Sequence, residues 1–393
     1  MPLYPPFRST LPRHGRRVGL LSTYPPELCG LATFAAALEA GLRRGGHRVD
    51  MVRITDGRDG SMASSATAGE LVNGDPSSLR QVALLLSQSE VAIIQHEYGI
   101  FGGRDGDEVV ELLRLIDVPT IVTLHTVPLH PTAHQQSLLV EIVGLAHRVV
   151  VMTAAAGERL VSRYPIDPRK VTTIPHGAAT PAPGSVASDE GAHGERPQLL
   201  TWGLLGPGKG IEHAIDALAL LADIRPRIRY TVAGVTHPKV FANDGDRYRS
   251  SLVARSRDRG LGRTVTFDDS YRDLPQLTRF VASAAAVVLP YDSRDQVTSG
   301  VLVDAIAAGR PVVATAFPHA VELLRTGAGI VVPHADPVAM AAAIRLVVTD
   351  CDAAEAMAAE ARRIAPSLSW AAVAGQYALV ADELVQAVEA LAM

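Results

Sequence analysis

The chain has 393 residues, of which 37 are Lys or Arg and 41 are Asp or Glu, a formal net charge of -4, and 47% are hydrophobic. At roughly 150 residues per domain this length predicts two or three domains with sizeable cores. The hydrophobic share excludes a disordered chain, and the charge balance supplies no positive field for holding a nucleic-acid backbone.

The residues up to Arg17 carry Arg8, Arg13, Arg16 and Arg17 among four prolines, without an apolar run of signal-peptide length, and read as a solvated tail. Four arginines can also touch an anionic membrane surface weakly, so a peripheral membrane contact stays open. Short β-branched runs then alternate with longer amphipathic segments, the pattern of βαβ units and parallel sheets. Strands are expected near Val18–Leu21, Arg48–Val52, Val91–Gln95, Thr120–Leu124, Val149–Met152 and Val171–Ile174. The stretch 181–197 is rich in Pro, Gly, Ser and charge and reads as a linker. Alternation resumes near Leu199–Trp202, Arg229–Ala233, Thr264–Phe267, Ala286–Leu289, Pro311–Thr315 and Gly329–Val332. Two doubly wound α/β domains are therefore expected, 18–180 and 198–368, facing each other across a ligand cleft at their strand ends. From Ala335 the chain reads as helices, and Val373, Tyr377, Val380, Leu384 and Val388 stripe a last segment, 369–393, that must be buried somewhere. No stretch reaches membrane-spanning length. Cys29 and Cys351 stand far apart without metal-ligand spacing around them, so neither a disulfide framework nor a zinc site is implied, and a cytoplasmic setting is expected.

Residues just after strands are where chemistry is expected. After the first strand, a proline-stiffened loop leads to Gly30 at a helix start, where a ligand can approach free backbone amides; a plain βα turn reads the same way. His96, His125 and His176 stand at strand ends with Glu97 beside the first, and a strand-end histidine can bind a substrate hydroxyl or move a proton. In the second half, Trp202-Gly-Leu-Leu-Gly-Pro-Gly-Lys-Gly210 resembles a phosphate loop but lacks the Ser or Thr that would hold magnesium. Gly208 and Lys209 there can still clamp a diphosphate. The segment 290–309 passes from a strand through a polar loop into a helix whose first amides, near Ser299, Gly300 and Val301, can bind an anion. Asp304, one turn further in, suits a ribose diol.

Together these residues resemble the retaining, two-Rossmann-domain nucleotide-sugar glycosyltransferases of the GT-B group, and within them family 4 (glycosyl transferases group 1). The glycine loop is similar to 25–30, the strand-end histidine to His125, and the diphosphate lysine to Lys209. The paired glutamates fall on Gln296 and Asp304, followed by the Gly-x-Pro-Val strand at 309–313. The last helix resembles one that crosses back to the first domain. Two positions depart from the family: Leu204 stands where an arginine is usual, leaving Arg294 as a candidate charge partner, and Gln296 is neutral. The strings 296–300, 317–324 and 235–238 are similar to a bacterial branch with this altered loop.

The resemblance implies a metal-independent hexosyltransferase, without a cofactor, that takes a sugar from a nucleotide diphosphate sugar (GDP-mannose or a UDP-sugar) to a hydroxyl of a saccharide or lipid-linked acceptor. Lys209 and the amides of 299–301 would stabilise the leaving diphosphate, Asp304 would bind ribose, and Gln296 and His125 would bind the transferred sugar. Glu97 stays open as a base. Three alternatives also stay open: a sugar-nucleotide epimerase of the same fold, a pyridoxal-phosphate phosphorylase, which is usually far longer, and a nucleotide-sugar or glycan binding protein without turnover.

Overall fold

A computed structural model of the chain describes residues 15–27, 29–57, 67–180, 196–270 and 272–392. Two compact units are present, one formed by Ala178–Ser369 and the other by the chain up to Gly177 together with Trp370 onward. Most of the expected tail, 1–14, and of the expected linker, 181–195, lies outside the described residues.

The N-terminal unit runs β1 (Arg17–Ser22), α1 (Gly30–Arg44), β2 (Arg48–Thr55), β3 (Gly69–Val72), α2 (Pro76–Leu86), β4 (Val91–His96), α3 (Glu108–Leu115), β5 (Thr120–Leu124), α4 (Ala133–Leu145), β6 (Arg148–Val151), α5 (Ala154–Arg163) and β7 (Val171–Thr173). Its seven strands lie in the order β3-β2-β1-β4-β5-β6-β7, all pairs parallel. Sequence patterning anticipates six of them; β3 is additional. The C-terminal unit runs β8 (Gln198–Trp202), α6 (Ile211–Ala219), β9 (Arg229–Ala233), α7 (Pro238–Asp244), α8 (Arg247–Asp258), β10 (Val265–Asp268), α9 (Leu274–Ala282), β11 (Ala286–Leu289), α10 (Gly300–Ala307), β12 (Val312–Thr315), α11 (Pro318–Leu324), β13 (Gly329–Val332), α12 (Pro337–Thr349) and α13 (Cys351–Ile364). Its sheet order, β10-β9-β8-β11-β12-β13, reverses direction between β8 and β11, as the first sheet does between β1 and β4. Such a switch point leaves a crevice at the strands' carboxyl ends.

Arg16 and Arg17 are not part of a tail. Arg16 bonds Glu90 at 2.8 Å and Asp382 at 2.7 Å, and Arg17 bonds Asp50 at 2.6 Å. These guanidiniums are committed inside the N-terminal unit and are not available to a membrane surface.

The last helix, α14 (Trp370–Ala392), belongs to the N-terminal unit. Its buried face, including Val373, Ala374, Tyr377, Ala381 and Val385, packs with Phe34, Leu38 and Leu42 of α1 in one hydrophobic core. The stripe ends a little earlier than expected: Leu384 is partly buried and Val388 is exposed. The helices cross closely because the residues between them are small. A β-carbon added at Gly41 would lie 2.7 Å from that of Ala374 and 2.9 Å from the carbonyl oxygen of Trp370. Among the described residues no helix is long and apolar enough to cross a membrane.

Candidate functional site

In the C-terminal unit, the loops after β8 and β11 meet at the switch point. The Asp292 amide donates to the Gly208 carbonyl at 3.0 Å. Gly210 caps α6 in the left-handed region, at φ 61°, with its α-carbon so close to the second loop that a β-carbon would stand 1.9 Å from the Pro290 carbonyl oxygen. Only glycine meets both conditions. This crossing places Lys209 over the ring of Tyr291, with Nζ 4.6 Å from its centroid. Tyr291 is buried and Lys209 half-buried. Burial pushes the ammonium below its usual pKa, and no described carboxylate lies within ion-pair reach of it. A desolvated cation without a counter-ion, steadied by a ring face, is an anion receptor.

The second loop supplies the complementary donors. Ser299 caps α10, its hydroxyl accepting from the Leu302 amide at 3.3 Å. The amides of Gly300 and Val301 follow at the helix start, where no intrahelical carbonyl can reach them. The Ser299 amide, expected to serve an anion with them, is spent otherwise: it donates to Nδ1 of buried His319 at 2.9 Å. His319 therefore holds the helix start in place. Sequence gave no sign of this bond between residues twenty apart.

The carboxylate of Asp304, half-buried one turn inside α10, has no hydrogen-bond or ion-pair partner among the described residues. Desolvation pushes its carboxyl up to about 7. Gln296 turns its Nε2 to the Thr298 carbonyl at 3.0 Å, which leaves Oε1 as its open polar atom. Leu204 is half-buried, and Arg294 is exposed and forms no ion pair with a described residue. Glu212, His213 and Asp292, beside the Lys209 loop, bring possible ligand atoms within 4.8 Å of one another. Their contacts are already internal: His213 meets Asp292 at 3.1 Å, and Glu212 accepts from the Tyr248 hydroxyl at 2.8 Å.

The remaining expected residues lie in the N-terminal unit. Gly30 opens α1, and a β-carbon there would meet nothing within 4 Å, so the backbone faces open space. The Cys29 sulfur caps the helix, accepting from the Ala32 amide. His125 and His176 both pack edge-on against Phe34, with ring centroids 4.9 and 5.1 Å away. His96 is fully buried between Tyr98 and Phe101. Burial holds all three imidazoles neutral, pushing His96 and His176 down to about 4 and His125, with His176 and His96 adding repulsion, down to about 3. Acid–base use near neutral pH is therefore closed to them. Glu97 is not set up as a free base either: one carboxylate oxygen accepts from the Thr126 hydroxyl at 2.6 Å and the other from the Tyr98 amide at 3.0 Å. The carboxylate fastens the loop after β4 to the loop after β5.

Comparison with known proteins fits this two-sheet architecture. Residues 29–180 match the model of Glycosyltransferase Family 4, and residues 196–350 match that of Glycosyl transferases group 1. The chain belongs to these glycosyltransferases. Among curated relatives of this chain, the D-inositol 3-phosphate glycosyltransferase of Kineococcus radiotolerans is 31% identical over 260 residues, covering 60% of this chain and 56% of that protein. Its counterpart in Geodermatophilus obscurus is 30% identical over 266 residues, covering 63% and 56%. The chain thus matches little more than half the length of these relatives. Anabaena HepE in complex with UDP superposes with a TM-score of 0.74 over 94% of this chain and 100% of its own, at 18% identity. Sucrose-phosphate synthase from Thermosynechococcus elongatus gives 0.71 over 95% and 100%, also at 18%. The fold of this chain is α/β of the GT-B type.

Proposed function

We propose that the protein is a retaining glycosyltransferase that moves a hexose from a nucleoside diphosphate sugar to a hydroxyl acceptor. The observation that carries this reading is the chemistry gathered at the β8/β11 switch point. It holds a half-buried Lys209 and a half-buried Asp304 carboxylate, neither paired with a described residue, and the open amides of Gly300 and Val301. Cation and amides suit the two phosphates, and the carboxylate suits the vicinal hydroxyls of a ribose.

In the proposed reaction the bond between the anomeric carbon and the diphosphate breaks, and its electron pair leaves with the phosphate oxygen. Lys209 and the helix-start amides stabilise that developing charge, which is where most of the acceleration would come from. The acceptor oxygen bonds to the anomeric carbon from the face the diphosphate leaves, and its proton passes to the departing phosphate. This route needs no carboxylate nucleophile, in keeping with a neutral Gln296 and an engaged Glu97. Gln296 and His125 would bind hydroxyls of the transferred sugar. The D-inositol 3-phosphate glycosyltransferases among the protein's relatives support a phosphorylated cyclitol as one acceptor class beside saccharides and glycolipids, and the complexes of Anabaena HepE with UDP and UDP-glucose support a UDP-sugar among the candidate donors.

The test is a panel of donors and acceptors, with released nucleoside diphosphate measured and the anomeric configuration of the product read by NMR. The expected result is one donor–acceptor pair giving a product with the donor's configuration. Inversion would overturn the mechanism. Tight donor binding without transfer to any acceptor would instead identify a sugar-nucleotide binding protein.

A further inference from the structure

The N-terminal unit contains a buried hydrogen-bond chain that the proposed chemistry does not use. It begins on α14, where the Tyr377 hydroxyl meets the Thr123 hydroxyl of β5 at 3.0 Å. Gln95 of β4 reaches the same Thr123 oxygen with Nε2 at 3.5 Å. On its other side, Gln95 Oε1 lies 2.7 Å from Nε2 of His125. Gln95, Thr123 and Tyr377 are all completely buried, so no water competes for these bonds.

The chain has a direction. A separation of 2.7 Å is ordinary for N–H···O and short for a bond between two nitrogens, which fixes the amide with its oxygen toward the imidazole. An amide oxygen only accepts, so His125 must carry its proton on Nε2. In a neutral ring the other nitrogen, Nδ1, is then an acceptor, and no described residue donates to it. Phe34 stands edge-on to the ring, and His176 and His96 are the titratable neighbours that face it. His176 is fixed in the opposite sense, since its Nδ1 donates to the Gly177 carbonyl at 2.7 Å.

We propose that Gln95 is a positioning residue: anchored through Thr123 to Tyr377 of the last helix, it locks His125 as the Nε2–H tautomer and presents Nδ1 as an acceptor for a hydroxyl of the substrate. The role of His125 as a substrate contact rests on the functional reading above; the tautomer and its cause do not. The consequence for specificity is a sign. His125 selects an O–H donor at the position it faces, and a sugar offering only an acceptor there, such as a fluoro or methoxy analogue, is rejected.

The test is long-range proton–nitrogen NMR on protein labelled with 15N-histidine, at neutral pH. In the wild-type protein, the His125 ring is expected to show a protonated Nε2 and an unprotonated Nδ1. A protonated Nδ1, or an equal mixture of tautomers, overturns the proposal. Gln95→Met keeps the volume and removes the acceptor; it should turn the His125 signals into a tautomer mixture. It should also lower turnover about tenfold, the scale of one hydrogen bond, while affinity for the free nucleoside diphosphate stays within about twofold. Because Gln95 lies in the sheet centre, Tyr377→Phe serves as the second variant. It removes one hydroxyl without changing the packing and should move the same ring signals in the same direction by less. Unmoved ring signals in both variants overturn the proposal. Absence of transfer from every donor would count against the functional reading alone, since the tautomer is read without substrate.

Discussion

Lys209 and Asp304 are half-buried groups of opposite charge type that no described residue pairs with, and partial desolvation strains each in a way that a ligand can relieve. Lys209→Ala should lower turnover by about 10²–10³-fold, the scale of one preorganised donor to a leaving group, with the fold intact by circular dichroism. Asp304 gives a cleaner separation of binding from stability. Its carboxyl is raised to about 7 in the folded state from an ordinary 3.8. The folded protein therefore holds the extra proton between those values, and stability falls as pH rises from about 4 to about 7. Asp304→Asn should make the ligand-free protein more stable at pH 8 by roughly 1–3 kcal/mol and weaken nucleoside diphosphate binding by about 1–3 kcal/mol. Denaturant titration and calorimetry read the two effects, and equal affinity in the variant would remove Asp304 from the site. Gln296→Glu puts a second carboxylate beside a dianionic donor and trades the Nε2 bond to the Thr298 carbonyl for repulsion. Donor affinity should fall about tenfold, the loss of roughly 1.4 kcal/mol.

Secondary-structure elements show why some of this was readable in the amino-acid order and some was not. Twelve of the strands are runs of β-branched and aliphatic residues bounded by turn signals, and each has its ends within three residues of their expected positions, β2 running furthest past its expected end. The exception, β3, reads Gly-Glu-Leu-Val and sits at a sheet edge; Glu70 is held by Arg53 of β2 at 2.6 Å. An ion pair to buried Arg53 and a single neighbouring strand hold it, and neither leaves a periodic trace. Lys209 and Asp304 stand out in the amino-acid order because glycine loops and helix starts follow local rules, and Gln296 stands out through the family resemblance alone. His319 beneath Ser299, Tyr291 beneath Lys209 and Gln95 behind His125 do not, since each acts across the sheet or between loops. The α1/α14 crossing gives the prediction at this scale. Gly41→Leu forces a side chain into the Trp370 carbonyl and the Ala374 methyl group and should destabilise the N-terminal unit by about 1–3 kcal/mol, the usual overpacking cost. Hydrogen exchange should accelerate in α1 and α14 and stay unchanged in α6 and α12.

At the level of the whole molecule, the two units carry opposite pH responses. His96, His125 and His176 are neutral when folded and take up protons when unfolded below about 6.5. His47 and His147, lowered chiefly by desolvation, act in the same direction. As pH falls from 6.5 toward 4, the N-terminal unit therefore loses stability, by up to about 1.4 kcal/mol per pH unit for each histidine involved. The C-terminal unit gains over the same interval through Asp304. Hydrogen exchange at pH 5 and pH 7.5, followed by mass spectrometry, should show protection falling in β4, β5 and α14 at the lower pH and holding or rising in α10. A uniform change across both units would contradict this assignment of charges.

The N-terminal unit is discontinuous along the chain: its last helix follows Ser369, after the entire C-terminal unit. A ribosome working at roughly 5–20 residues per second needs about 10–40 seconds to pass from Gly177 to Trp370. For that time the apolar face of α1, with Phe34, Leu38 and Leu42, waits for the helix that covers it. The contiguous unit, begun later, has everything it needs to finish first. A nascent chain held just short of Trp370 should therefore carry a protease-resistant second half and a first half that a chaperone still recognises, and release of the remaining residues should remove that difference.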